Sequence, residues 1–132
     1  MNQRLWLILS IALGGAIGAL LRYWSSGMVY KYVTSIFPWG TLAVNLLGAF
    51  ILGFLWNIFN YYVIPAHFKI FITIGVLGAF TTFSTYALET INLFRDGELL
   101  FGLLNIALNN VLGLILVFAG LIISRTLLYL FT

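Results

Sequence analysis

The sequence predicts an all-α membrane protein: four transmembrane helices per chain, the third broken at mid-membrane, in an antiparallel, dual-topology homodimer. Three observations carry the chain-level part of that expectation. The 132 residues are 63% hydrophobic and only 7% charged, against roughly 25% charged in soluble domains. The apolar residues fall into four runs, each long enough to cross a hydrocarbon core of roughly 30 Å at about 1.5 Å per helical residue. The third run places a cluster of hydroxyl residues at its own centre, near Thr81. With nearly every segment apolar, residues 1–132 are expected to form a single membrane domain.

The first run opens like a signal peptide, with Arg4 ahead of an apolar core. It continues past Gly15 to Arg22, about 18 residues, which is long enough for a span. A first helix is therefore expected over 5–24, retained in the mature protein, with 25–38 as a connection. Gly14 and Gly18 stand at GxxxG spacing, with Ala12/Ala16 and Gly15/Ala19 alongside, a face suited to close helix packing.

A second helix is expected over 39–59. Thr41 and Asn45 are four residues apart and share a face, which Ala49 and Gly53 continue. An unpaired amide in hydrocarbon costs several kcal/mol, so Asn45 needs a partner. An interhelical hydrogen bond and a pore-lining role both meet that need. Asn60 to Lys69 reads as the next connection, with Pro65 as helix breaker and His67 as a solvated loop residue.

The third helix is expected over 68–94. At its centre Thr81, Thr82, Ser84, Thr85 and Tyr86 stand among aromatics, and Gly75 and Gly78 precede them. Glycine weakens a helix through entropy; clustered hydroxyls compete for its backbone hydrogen bonds. Two readings stand: a Ser/Thr-rich helix contact, or a break whose freed backbone groups meet protein, water or an ion. Glu89 and Asn92 lie near the end of this span, before Arg95-Asp96-Gly97-Glu98.

The fourth helix is expected over 99–123, with Asn105 and Asn109 on one face, Asn110 beside them, and Arg125 closing it. Trp6, Trp24, Trp39 and Trp56 fall near expected span ends, as an aromatic belt requires.

Four spans put both termini on one side, with Arg4, Lys69 and Arg125. Arg22, Lys31 and Arg95 fall on the other. Orientation normally follows an excess of Lys and Arg in cytoplasmic loops, and three against three leaves none. A chain of this kind inserts both ways up, which permits an antiparallel homodimer related by an axis in the membrane plane.

Zero cysteines exclude disulfides and thiolate metal sites. A formal charge of +3 is spread too thinly along the chain to suggest a nucleic-acid surface. No GxxxxGK[ST], HExxH or GxSxG string occurs, so an enzyme is disfavoured.

Three blocks then stand out together: GGAIGALLRY (Gly14 to Tyr23), GTLAVNLLGAFILG (Gly40 to Gly53) and GVLGAFTTFSTY (Gly75 to Tyr86). In order, spacing and chain size they resemble the signature blocks of the Fluc/CrcB fluoride channels, and the resemblance covers essentially the whole chain. It implies a fluoride-selective channel of the bacterial inner or plasma membrane, giving passive fluoride export and protection from fluoride. It also implies a dual-topology homodimer with two pathways, and a structural sodium ion at the dimer axis held by the backbone carbonyls of Gly78 and Thr81.

For the fluoride pathway the resemblance points to Asn45, Phe83 and Tyr86, with Ser84, Thr85, Thr41 and Asn109 nearby. Tyr86 stands where the family pattern has a second phenylalanine. Arg22 and Glu89 match motif positions with a structural or vestibular role. The partners implied are fluoride, sodium, a second copy of the chain and the lipid bilayer.

The chemistry of these side chains suits fluoride. The ion is small and strongly hydrated, so leaving water requires close N–H and O–H donors. Aromatic rings present a positive edge without a full charge, and conduction needs sites weak enough to leave. No Lys or Arg falls at the centre of any expected span.

A dual-topology multidrug or cation exporter is the nearest rival. Such a proton-coupled carrier relies on a buried carboxylate in its first span; this first span has no Asp or Glu. A non-transporting assembly subunit, in which the polar residues only hold helices together, is the other.

Overall fold

Each of the four apolar runs forms a helical segment long enough to cross a membrane: Gln3–Tyr32, Trp39–Tyr61, Ala66–Arg95 and Leu99–Leu130. The computed structural model describes residues 2–131, and no strand occurs among them. All four tryptophans lie on the outer surface of the chain, between 41% and 63% exposed.

All four helices outrun the expected spans, the first and fourth by about two turns. The first continues through Ser25 to Tyr32, so that the connection shrinks to 33–38. The Ser26 hydroxyl donates back to the Arg22 carbonyl at 2.7 Å, and the helix stops where Val33 turns extended (φ −118°, ψ 99°). The fourth helix likewise passes through Arg125, which does not close it. Hydropathy marks how much of a helix lipid can cover. Where the helix ends depends on caps and breakers, and neither extension contains a proline. The tight turn between the third and fourth spans does carry its signal. Gly97 adopts a left-handed φ of 82°, the Gly97 N–H donates to the Phe94 carbonyl (3.2 Å), and the Glu98 N–H donates to that of Leu93 (2.8 Å). This is a glycine-terminated helix end of the Schellman type.

Glycines set how closely the helices approach. A Cβ on Gly18 would collide with the Val76 carbonyl, and one on Gly75 would sit 2.8 Å from the Gly14 Cα. The Gly14/Gly18 face therefore packs on the third span, whereas Gly15 faces open space within the chain. On the other side, a Cβ on Gly53 would collide with the Val117 carbonyl, and Gly120 packs equally tightly on 50–54. Two stretches, Phe71–Leu77 and Leu108–Leu112, widen to π-helix, a local change often found at functional sites. The first lies where Gly14 presses on Gly75.

Candidate functional site

The third span is two helices end to end. Its first half stops at Phe80, Thr81 and Thr82 are extended (ψ 157° and 115°), and a new helix runs over Phe83–Arg95. The interruption falls at the hydroxyl cluster. Thr82 caps the second half: its hydroxyl accepts the Thr85 N–H at 3.3 Å and donates to the Thr85 hydroxyl at 2.9 Å. The Thr81 hydroxyl bonds back to the Leu77 carbonyl at 3.0 Å. Glycine at position 48 in the second helix makes room for the Thr81 methyl.

Asn45 pins the extended residue. Its Oδ1 accepts the Thr82 N–H at 2.8 Å, and its Nδ2 donates to the Thr82 carbonyl at 3.2 Å and to Asn109 Oδ1 at 2.9 Å. The side-chain amide thus pairs with both backbone groups of Thr82, much as a neighbouring strand would. Asn109 in turn donates to the side-chain oxygen (2.8 Å) and carbonyl (3.0 Å) of Asn105. Asn105, with 0% exposure, donates to Thr90, whose hydroxyl donates to the Tyr86 carbonyl at 2.8 Å. The result is a one-directional relay of buried and half-buried polar groups that ties the second, third and fourth spans together. Every buried donor in it has an acceptor, as a low-dielectric interior requires.

Against this relay opens a cleft of about 360 Å³, lined by Asn45, Thr81, Thr82, Phe83, Tyr86 and Asn109, with apolar walls from Leu52 and Val117. The Phe83 and Tyr86 rings meet edge-on, their centroids 5.4 Å apart at 63°. Tyr86 is buried at 8% exposure, but Phe83 is 77% exposed on the bare chain.

Gly78 also lines the cleft, whereas Thr41, Ser84, Thr85, Glu89 and Arg22 fall outside it. Thr41 shares a helix face with Asn45 but donates to Glu89 Oε1 at 2.8 Å, one turn away. The Tyr30 hydroxyl approaches both Glu89 Oε1 and the Thr41 hydroxyl at 3.5 Å. This Tyr30–Thr41–Glu89 group joins three spans and leaves Glu89 Oε2 without a partner among the described residues. Ser84 is exposed, and Arg22 is half-buried. Tyr30 and Thr90 enter these networks unannounced, and Asn105, visible on the Asn109 face, gains its partners only here. A buried asparagine signals that a partner exists, but only tertiary contact names it.

The carbonyls of Gly78 and Thr81 face the break differently. The Thr82 N–H, which would continue the helix onto the Gly78 carbonyl, goes to Asn45 instead, and the Thr85 N–H goes to the Thr82 hydroxyl rather than to Thr81. Among the described residues neither carbonyl accepts a hydrogen bond. Two hard oxygen ligands without hydrogen-bond donors, at the C-terminal end of a half-helix, fit a sodium ion.

Four long apolar helices around a buried polar relay define a multi-pass, all-helical membrane protein. Comparison with known proteins then narrows the class. Residues 9–121 match the model of the family described as CrcB-like protein, Camphor Resistance (CrcB). The chain is 47% identical over 116 residues to the fluoride-specific ion channel FluC of Magnetococcus marinus, covering 87% of this chain and 94% of that protein. It is 46% identical over 113 residues to the protein of the same name from Salinibacter ruber (86% and 85% covered). A third relative of that name, from Dehalococcoides mccartyi (strain CBDB1), is 47% identical over 115 residues (86% and 88%). The chain belongs to the CrcB family.

Proposed function

We propose that this protein is a fluoride-selective ion channel of the bacterial inner or plasma membrane, through which fluoride leaves passively and the cell is protected. The observation that carries the reading is the cleft at the helix break, where amides, hydroxyls and ring edges converge without a fixed cation. Its family relatives are named for fluoride conduction. An anion that has shed water needs donors at close range, and a partner without full charge lets it leave. Both Nδ2 hydrogens of Asn45 are already engaged, by the Thr82 carbonyl and by Asn109. Fluoride therefore binds there by exchange, taking a hydrogen that Asn109 Oδ1 gives up.

The working unit in this reading is an antiparallel dimer of dual topology, with the break at mid-membrane. The balanced charges allow both orientations, and the exposed Phe83 and Gly78 leave a face at the break for a second copy. Sodium is the structural ion, held by the Gly78 and Thr81 carbonyls of each chain; its charge holds those oxygens in place and favours the dimer. Ser84 and Thr85 add hydroxyls near the route, Thr41 and Glu89 stand at its vestibule with Tyr30, and Arg22 has a structural or vestibular role.

The direct test is passive efflux from liposomes containing the purified protein, with fluoride and chloride followed side by side. Rapid fluoride loss with chloride retained is expected; equal rates, or no efflux from a verified folded dimer, would end this reading. Replacing the exposed ring by Phe83→Ile keeps the apolar bulk and removes the positive ring edge. Fluoride efflux is expected to fall about tenfold or more, on the scale of one lost interaction with a charged group, while size-exclusion elution stays that of wild type. An unchanged rate would reduce Phe83 to packing.

A further inference from the structure

Tyr86 lines the cleft and carries a hydroxyl that the fourth span meets. Asn110 Nδ2 donates to the Tyr86 phenol oxygen at 3.0 Å, and to the Ile106 carbonyl one turn back at 2.8 Å. Both amide hydrogens of Asn110 are thereby used, and the phenol oxygen is engaged as an acceptor. No other partner holds the phenol among the described residues, so its own hydrogen remains undirected by the protein. Tyr86 and Asn110 both line the cleft, with Phe83 edge-on to the phenol ring.

We infer that Tyr86 and Asn110 form an anion-coordinating pair: Asn110 fixes the phenol as an acceptor, and this leaves the Tyr86 O–H as a donor to the anion in the cleft. The inference rests on the fluoride-channel reading and deepens it by naming a second donor beside Asn45. A free phenol rotates its hydrogen toward the nearest acceptor. Beside an asparagine whose amide oxygen turned inward, that acceptor would be the oxygen. Here the back-bond to Ile106 commits the amide nitrogen end of Asn110 to this side. The phenol therefore receives a hydrogen and keeps its own for the cleft. The hydrogen-bonded oxygen is also more strongly polarised, which strengthens the outgoing donor. The π-helical turn Leu108–Leu112 carries Asn109 and Asn110 as neighbours, so one widened turn presents one amide to Asn45 and the next to Tyr86.

The test is fluoride efflux as a function of fluoride concentration for wild type, Tyr86→Phe, Asn110→Leu and the double variant. Tyr86→Phe keeps the ring and removes the donor. The half-saturating fluoride concentration is expected to rise about tenfold, the scale of a hydrogen bond to a charged group, while the maximal rate is maintained. Asn110→Leu is expected to raise it less. The double variant is expected to match Tyr86→Phe alone, because Asn110 acts only through the phenol. A merely structural hydroxyl would lower thermal stability and leave half-saturation where it was, and that result in folded Tyr86→Phe protein would overturn the inference. Additive effects of the two changes would also overturn it, by making Asn110 independent of Tyr86. Wild-type protein that carries no fluoride would instead remove the channel reading itself, and the pair with it.

Discussion

Asn45→Asp is expected to abolish fluoride conduction while leaving a folded protein. The substitution keeps the oxygen that accepts the Thr82 N–H and replaces Nδ2 with a second oxygen. That oxygen then faces two acceptors, the Thr82 carbonyl and Asn109 Oδ1, where wild type has two hydrogen bonds at 3.2 and 2.9 Å. The added charge matters more than the lost bonds. A carboxylate about 4 Å from an anion raises its energy by about 4 kcal/mol at an effective dielectric of about 20, which is roughly a thousandfold in occupancy. Asn45→Ala separates the two effects, since it removes the donors and adds no charge. Liposome efflux of both variants is the measurement. Asp slower than Ala places Asn45 against the anion. Equal loss would assign its whole effect to holding Thr82, and wild-type flux in either would take Asn45 out of the pathway.

Much of this arrangement is legible in the chain because hydrocarbon makes polar residues conspicuous. Four apolar runs become four helices, and five hydroxyls near the centre of the third mark where it breaks, because Thr82 offers its own cap to the helix that follows. Asn45 also declares itself: its need for a partner is met by bonds between helices, at the edge of the cleft. What the sequence hides has two sources. Helix ends in water leave no hydropathy signal, so the extension that brings Tyr30 over Gly40 and toward Glu89 goes unseen. Register is the other. Thr41 and Asn45 share a face, yet their partners, Glu89 and Thr82, lie seven residues apart on the third span. The π-turns are of the same kind, since a widened turn answers to neighbouring backbones such as Gly14 against Gly75. Asn110 is visible in the sequence as a third amide on the fourth span. Only its distance to the Tyr86 phenol gives it a role.

Gly53→Val is expected to have the largest effect on folding of any single change in the second helix. A side chain there would collide with the Val117 carbonyl, and rigid backbone cannot rotate away as a flexible side chain can. Overpacking of this kind costs about 3 kcal/mol, a large part of a typical domain stability of roughly 5–15 kcal/mol, so the melting temperature should fall by about 10 °C or more. Gly15→Ala is the control, since nothing lies within 4 Å of a Cβ there; it is expected to keep the wild-type melting temperature within a few degrees, or raise it through better helix propensity. The intermediate change, Gly53→Ala, connects packing to function. The contact at Gly53 sets the spacing of the second and fourth helices, and the Asn45–Asn109 bond crosses that same gap eight residues, about 12 Å, away. A methyl at position 53 forces the two helices apart and stretches that bond first. Gly53→Ala already carries the Cβ that meets the Val117 backbone, so it should still elute as folded protein, melt clearly lower though less so than Gly53→Val, and conduct fluoride more slowly. Wild-type conduction in Gly53→Ala would show that the amide relay tolerates helix separation and does not depend on the glycine contact.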